Sequence, residues 1–182
     1  MKRALILAPL ALAASTMWVA DVEITEWQVP WEGSRPRDPD VGPDGTIWFV
    51  GQTAHYVASL DPATGEFTKH DLDPGTGPHN LIVDRDGVIW YAGNRAAHIG
   101  RLDPRTGDIT KIPTPEGVRD PHTLVFDRSG DIWFTAQNSN FIGKLTKSTG
   151  QIRVVPVPTQ RARTYGIKLD RDGRPWIWPA PA

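Results

Sequence analysis

The hexapeptide Asp44-Gly45-Thr46-Ile47-Trp48-Phe49 indicates the architecture of this 182-residue chain, because related hexapeptides return three more times. The later copies occupy residues 86–91, 129–134 and 172–177, and their tryptophans follow one another at intervals of 42 or 43 residues. A second landmark, Leu-Asp-Pro-x-Thr-Gly at residues 60–65, returns at 102–107 and in altered form at 145–150. Two landmarks in one register indicate an internal repeat.

Each repeat predicts four short antiparallel strands. An apolar run such as Leu81–Val83 leads into an Asp-Gly or Ser-Gly turn, which is a hairpin signal. The Ile-Trp-aromatic run favours a second strand, Ile-Gly-x-Leu a third, and the residues after the Thr-Gly turn a fourth. Four strands in each unit are typical of the blade of a β-propeller, an all-β fold. We therefore expect the repeated Trp, Ile and Gly residues to be scaffold, with the tryptophans packed between blades.

The repeat also predicts the domain organisation. The units are residues 36–77, 78–120, 121–163 and an incomplete 164–182, which makes about three and a half blades in a partial propeller over 21–182. Residues 22–30 resemble the fourth strand of a unit. The chain is therefore expected to be the front part of a larger, truncated wheel. Open edge strands on both sides then predict self-association.

The amino terminus predicts export. Met1-Lys2-Arg3 supplies two positive charges ahead of an apolar run over residues 4–14, with small residues near 11–15 where cleavage could occur. This pattern is typical of a secretory signal peptide, predicted over residues 1–20, and implies a periplasmic or secreted protein. The alternative is that this run forms an apolar strand or helix of the fold itself.

Composition excludes several classes of function. Twenty Lys and Arg residues nearly balance 21 Asp and Glu, so that the net charge of −1 favours neither nucleic acid nor an anionic membrane as a partner. No apolar stretch after residue 20 is long enough to span a bilayer. The chain has no Cys, which excludes disulfides, thiolate metal ligands and a Cys nucleophile.

One position of the repeat carries reactive rather than apolar side chains. Aligning the units by their turns places Arg37, His79, His122 and Tyr165 at equivalent positions, just before the first strand of each blade. Because the first strand of a blade lines the central channel, these residues predict a ring at one channel mouth. A cation, two imidazoles and a phenol can bind an anion or move a proton. The alternative is that they are solvated residues capping turns.

Other polar residues have structural interpretations. The acidic residues beside the turns are expected to form hairpins, namely Asp84, Asp86, Asp127, Asp170 and Asp172. His55 and His98 are expected to be exposed loop residues, and His70 to stand alone on an outer strand. Motifs of serine hydrolases, phosphate-binding loops and zinc proteases do not occur in the sequence.

The repeated pattern Pro-His-x-Leu-x-x-Asp-x-x-Gly-x-Ile-Trp-aromatic, followed by Ile-Gly-x-Leu, resembles the virginiamycin B lyase (streptogramin lyase) family. Residues 78–102 and 121–145 carry the pattern, and the likeness extends over about residues 22–176. The resemblance implies a seven-bladed propeller and a carbon–oxygen lyase that linearises streptogramin B-type cyclic depsipeptides. In that reaction a histidine removes the proton α to a carbonyl while Mg²⁺ stabilises the resulting negative charge.

The resemblance also implies roles for individual residues. The triplet Asp120-Pro121-His122 matches the acidic-Pro-His triplet of the family, so that His122 would be the catalytic base and Asp120 a metal ligand. His79 and Arg37 would contact the substrate, with Tyr165 beside them in the ring. This chain departs from the family after the Trp-aromatic pairs, where Gln52, Asn94 and Gln137 stand in place of a Glu. A neutral amide is a poorer Mg²⁺ ligand than a carboxylate.

Two other functions are compatible with a propeller. A non-catalytic periplasmic protein could use the ring at the channel mouth to bind a small anionic ligand, a peptide-like molecule or a protein partner. A lactonase-like hydrolase would need a Glu/Asn/Asp metal cage in the channel, and the sequence shows no such set in these blades.

Overall fold

The computed structural model of the protein describes residues 23–180. Within that range the chain forms fourteen β-strands in four antiparallel sheets, three with four strands and one with two. In every sheet the strands lie in chain order, each paired with the next. This is the blade architecture of a β-propeller and confirms the predicted fold class.

The strands fall into four blades. Blade 1 contains β1 (Pro36–Val41), β2 (Ile47–Gly51), β3 (Tyr56–Leu60) and β4 (Phe67–Asp71). Blade 2 contains β5 (Leu81–Val83), β6 (Ile89–Gly93), β7 (His98–Leu102) and β8 (Ile109–Pro113). Blade 3 contains β9 (Pro121–Phe126), β10 (Ile132–Ala136), β11 (Phe141–Thr146) and β12 (Gln151–Pro156). Blade 4 contains β13 (Thr164–Leu169) and β14 (Pro175–Pro179).

The hairpin between the first two strands of a blade is closed by an aspartate. In blade 2 one carboxylate oxygen of Asp84 accepts hydrogen bonds from the backbone N–H groups of Asp86 and Val88. Asp127 and Asp170 accept the equivalent pair of bonds in blades 3 and 4. These bonds hold the turn backbone in an Asx conformation, which confirms the structural interpretation of these three aspartates.

The hydrophobic core lies between the blades rather than within them. Trp48 of β2 packs against Leu81 and Tyr91 of blade 2, and Trp90 of β6 packs against Leu124 of blade 3 in the same way. Trp48 and Trp90 are 7% and 4% exposed, which confirms the expected position of the repeated tryptophan. The equivalent Trp176 of blade 4 is 64% exposed, because no described residues cover that face.

His98 is buried, contrary to the expectation that it is an exposed loop residue. It begins β7, opposite Gly93, and is 5% exposed. A side chain at Gly93 would collide with the imidazole, so the glycine creates the space that the ring fills. His55 lies just before β3, where its Nδ1 accepts the backbone N–H of Gly77 at 3.0 Å. His70 does lie on the outer strand of its blade, next to Trp48.

The amino-terminal expectations have different outcomes. The predicted signal peptide lies outside the described residues. The strand predicted over residues 22–30 was wrong for 23–29, which belong to no strand. A strand requires a hydrogen-bonded neighbour, and no described strand pairs with this segment. Val29 instead packs against the apolar cluster on the outer face of blade 1, together with Trp31.

The first strands of successive blades lie side by side: β1 contacts β5, β5 contacts β9, and β9 contacts β13. They are therefore the inner strands, as the position of the candidate site requires. Asn80 strengthens this arrangement across blades, because its side-chain oxygen accepts the backbone N–H of Leu124 at 2.9 Å. Within residues 23–180 no helix has the length and apolarity that a membrane crossing requires.

Candidate functional site at the channel mouth

The beginnings of the inner strands bring the predicted ring residues together. The rings of His79 and His122 stack with their centroids 3.5 Å apart, and the phenol ring of Tyr165 lies 4.3 Å from His122. Arg37 is half-buried at the start of β1, where its guanidinium donates to the side-chain oxygen of Gln52 at 3.1 Å. His79 and His122 are 7% and 2% exposed, so they are not solvated turn caps.

Hydrogen bonds of the backbone and of side chains hold this site where the inner strands begin. The N–H of His79 donates to the carbonyl of Ala92 at 3.0 Å, which ties the residue to β6 although it precedes β5. His122 is the second residue of β9, and its Nδ1 lies 3.0 Å from the hydroxyl of Thr123. The hydroxyl of Thr135 donates to the carbonyl of Tyr165 at 2.7 Å, which holds blade 4 against blade 3 at this point.

Asp38 is a fifth member of the cluster, and the repeat did not identify it. Its carboxylate lies 3.5 Å from Nδ1 of His79 and 3.8 Å from Nε of Arg37. The backbone of Asp38 has a φ of 48°, and the register of β1 against β2 shifts between Arg37 and Asp40. This β-bulge turns an additional side chain into the site. The counterparts of Asp38 in the other blades are Asn80, Thr123 and Gly166. Because no carboxylate recurs at this position, an alignment of the repeats does not single it out.

The electrostatic environment keeps His122 neutral. Burial, together with the neighbouring His79 and Arg37, lowers the pKa of its imidazole to about 3, although Asp38 and the backbone of Tyr165 act in the opposite direction. For Asp38, burial raises the pKa, but the contacts with His79 and Arg37 outweigh that effect and leave the pKa below its usual value. At neutral pH the cluster therefore contains a carboxylate, a guanidinium and at least one uncharged imidazole.

Two donors of the cluster have no hydrogen-bond partner among the described residues. They are Nε of Arg37 and Nδ1 of His79, both buried. Each faces an oxygen of Asp38 at a distance longer than a usual N–H···O bond. Burying a polar atom without a partner is unfavourable, so these two atoms mark a place for an acceptor oxygen.

Asp120 does not share the cluster's contacts. Its half-buried carboxylate accepts a hydrogen bond from the side-chain amide of Asn138 at 2.8 Å. The backbone of Asp120 has a φ of 54°, so that the residue occupies the left-handed region immediately before β9. The structure thus places His122 in the cluster and gives Asp120 a different partner.

The residues present do not fit the magnesium site that the family resemblance implies. Mg²⁺ prefers carboxylate oxygens in octahedral geometry. Residues 23–180 contain no group of three His, Cys, Asp or Glu side chains placed to hold a metal ion. The side-chain oxygen of Gln52, at one of the amide positions, already accepts a bond from Arg37. The only carboxylate in contact with the histidines, among the described residues, is Asp38 beside a guanidinium. The magnesium requirement therefore stays a prediction.

Comparison with known proteins identifies relatives. The sequence profile of the virginiamycin B lyase family matches residues 14–180. The structure of virginiamycin B lyase from Staphylococcus aureus superimposes with a TM-score of 0.79 at 26% identity, covering 85% of this chain and 52% of that one. A streptogramin B lyase structure gives a TM-score of 0.79 at 28% identity, with coverage of 85% and 51%. No curated protein matches the chain. The chain thus spans about half the length of these two lyases.

Proposed function

The chain belongs to the virginiamycin B lyase family, and from its buried histidine pair we propose that it opens streptogramin B-type cyclic depsipeptides by elimination. The observation that carries the proposal is the contact of His79 with His122 where the inner strands begin, with Arg37 joined to the pair through Asp38. An uncharged imidazole can accept a proton, and a guanidinium can stabilise negative charge on a carbonyl oxygen. Both groups are needed to remove a proton α to a carbonyl.

The proposed reaction needs no water. One imidazole of the pair takes the α-proton, and the electron pair of the C–H bond forms a carbon–carbon double bond. The carbon–oxygen bond of the ester then breaks, and a carboxylate leaves with its electrons. The negative charge that develops on the carbonyl oxygen during this step is stabilised by Arg37, whose Nε is a buried donor without a partner. The family resemblance assigns the base to His122.

The location proposed for the protein follows from its sequence. We infer that residues 1–20 direct export, so that the lyase acts in the periplasm or outside the cell, where it meets the antibiotic before its target. An assay of cell fractions with an antibody against the chain tests this, since retention of the full-length chain in the cytoplasm contradicts it.

The direct test of the activity uses a streptogramin B antibiotic such as quinupristin. Elimination gives a linear product of the same mass as the cyclic substrate, whereas hydrolysis adds the mass of one water, so liquid chromatography with mass spectrometry separates the two. We expect the isomeric product. His70→Gln is the matched control, because His70 lies on an outer strand away from the cluster. Absence of turnover contradicts the proposal, and a product heavier by one water indicates a hydrolase. Repeating the assay with Mg²⁺ and with a chelator tests the metal requirement.

A further inference from the structure

The two histidines of the site have different neighbours. Nδ1 of His79 faces the carboxylate of Asp38 at 3.5 Å. Nδ1 of His122 lies 3.0 Å from the hydroxyl of Thr123, which carries no charge. A carboxylate beside one ring nitrogen of a histidine fixes its proton there and stabilises the imidazolium that forms when the other nitrogen accepts a proton. A hydroxyl gives no comparable stabilisation.

The surroundings of His79 complete this contrast. It is faced by Asp38 from β1, by His122 from β9 and by Tyr165 from β13, and Arg37 lies on the other side of the Asp38 carboxylate. Of these groups only Asp38 is negatively charged at neutral pH, and one of its oxygens lies 3.5 Å from Nδ1 of His79. The guanidinium of Arg37 is drawn toward Asp38 as well, at 3.8 Å, so the carboxylate connects the cation to the imidazole.

We propose that Asp38 positions His79 as the imidazole that accepts the substrate proton, and that His122 is a neutral wall of the site. This assignment rests on the proposed function and differs from the family resemblance, which gives the base to His122. The weak basicity of the His122 imidazole, with a pKa of about 3, is consistent with it, because a general base works best when its pKa lies near the working pH.

The proton balance is simple. Before reaction His79 carries its proton on Nδ1, and Nε2 has the free lone pair. The α-proton of the substrate moves to Nε2, and the resulting imidazolium pairs with the carboxylate of Asp38. The electron pair of the C–H bond forms the double bond, and the ester carbon–oxygen bond breaks to release a carboxylate. Loss of the extra proton to water returns His79 to its starting state.

The position of Asp38 also accounts for the buried Nδ1 of His79, which has no hydrogen-bond partner among the described residues. A shift of the carboxylate by a fraction of an ångström shortens the 3.5 Å contact to a hydrogen bond and leaves Nε of Arg37 for the substrate oxygen. The bulge in β1 carries Asp38 on a left-handed backbone, outside the regular ladder between β1 and β2. Asp38 is thus a positioning residue that acts through His79.

The first experiment compares the kinetics of His79→Gln and His122→Gln on quinupristin. We expect kcat to fall about 100-fold or more for His79→Gln, as for loss of a general base, and less than about 10-fold for His122→Gln. Asp38→Asn, which keeps the shape but removes the charge, should lower kcat about 10- to 100-fold with a smaller change in KM. Asp71→Asn is the matched control, because Asp71 forms only a surface ion pair with Lys69. The opposite order for the two histidine variants overturns the proposal.

The second experiment does not depend on lyase activity. Nitrogen-15 NMR of labelled histidine reports which ring nitrogen carries the proton. We expect the Nδ1–H tautomer for His79 in the native chain and in Asp38→Asn, whose amide oxygen still accepts, and a mixture of tautomers in Asp38→Ala. An Nε2–H tautomer in the native chain overturns the proposal even if no substrate turns over. With the expected tautomers but no turnover, the positioning by Asp38 stands and the proposed lyase function fails.

Discussion

Tyr91 carries a hydroxyl into the interface between blades 1 and 2, where a phenyl ring alone would suffice. The residue is fully buried, and its oxygen has no hydrogen-bond partner among residues 23–180. Burial raises the pKa of the phenol, so the group stays uncharged. The equivalent residues Phe49 and Phe134 have no hydroxyl. Tyr56 is a useful contrast, since its buried hydroxyl donates to Ser34 at 2.8 Å.

We expect Tyr91→Phe to leave the free energy of unfolding unchanged or to raise it by up to about 1 kcal/mol, because it removes an unpaired buried polar atom. Tyr56→Phe should lower that free energy by about 1 kcal/mol through the lost hydrogen bond. Urea unfolding followed by tryptophan fluorescence measures both. Equal destabilisation by the two variants would show that the Tyr91 hydroxyl has a partner, such as a buried water.

Individual site residues differ in how far the sequence could reveal them. The four ring residues stand at one position of a clear repeat, and the structure brings their side chains together as expected. Asp38 could not be found in that way, because its equivalents in the other blades are Asn80, Thr123 and Gly166, so that no acidic residue repeats at that position. The position of the Asp120 side chain could not be predicted either. Asp120 lies only two residues before His122 in the sequence, but its left-handed backbone precedes the strand, and its carboxylate bonds to Asn138 instead.

At the scale of the hairpin, Asp84 joins a turn to two neighbouring elements. One carboxylate oxygen caps the turn, and the other accepts bonds from the indole N–H of Trp90 at 3.1 Å and from Lys147 of blade 3 at 2.6 Å. Burial raises the pKa of Asp84, but the bonds from Lys147 and Trp90 outweigh it and lower the pKa below its usual value. The ionised carboxylate therefore stabilises the folded state.

We expect Asp84→Ala to lower the free energy of unfolding at pH 7 by about 2 to 3 kcal/mol, since several bonds to one charged group are lost together. Asp86→Ala is the control in the same turn and should change it by less than about 0.5 kcal/mol, because Asp86 is exposed. A carboxyl whose pKa is lower in the folded state stabilises that state at pH values above its unfolded pKa of about 3.9. The difference between native chain and Asp84→Ala should therefore shrink as pH falls below that value. A difference independent of pH would contradict the ionic contribution.

The strands themselves were predictable, but some of their boundaries were not. The Asp-Gly turns and aromatic runs have a fixed sequence form, and every predicted hairpin is present in blades 1 to 4. Before the third strand, however, His55, Ala97 and Asn140 share a positive φ of 51–63°. Each presents its carbonyl to a backbone N–H beyond the end of the fourth strand. Three different residue types adopt one conformation there because the hairpin requires it. Since they share no side-chain type, the sequence alone does not predict the left-handed backbone at this position.

Among the described residues, one blade face is uncovered and a second is covered only in part, by Val29 and Trp31. On blade 4, Trp176 and Trp178 are 64% and 46% exposed, although their equivalents in other blades lie against a neighbour. On blade 1, the face opposite blade 2 carries an apolar groove of about 250 Å³. The residues that line this groove include Trp27, Phe49, Leu60 and Phe67. The repeat predicts that both faces resemble those buried between the other blades. Their exposure follows from the number of blades, since each face belongs to a blade with a neighbour on one side only within the described part of the chain.

These two faces should bind each other in separate copies of the chain. Every interface between consecutive blades joins the tryptophan face of one blade to the opposite face of the next, and these exposed faces are one of each kind. The chain spans about half of each lyase it resembles, so two copies span about the length of one such lyase. We expect sedimentation velocity at micromolar concentrations to show a closed dimer.

The double variant Trp176→Ser with Trp178→Ser should shift the chain toward the monomer, because about 25 cal/mol is lost per square ångström of apolar contact. Val155→Ser, which removes an exposed apolar side chain on an outer strand of blade 3, should not. A native chain that stays monomeric at all these concentrations would contradict the pairing of the two faces.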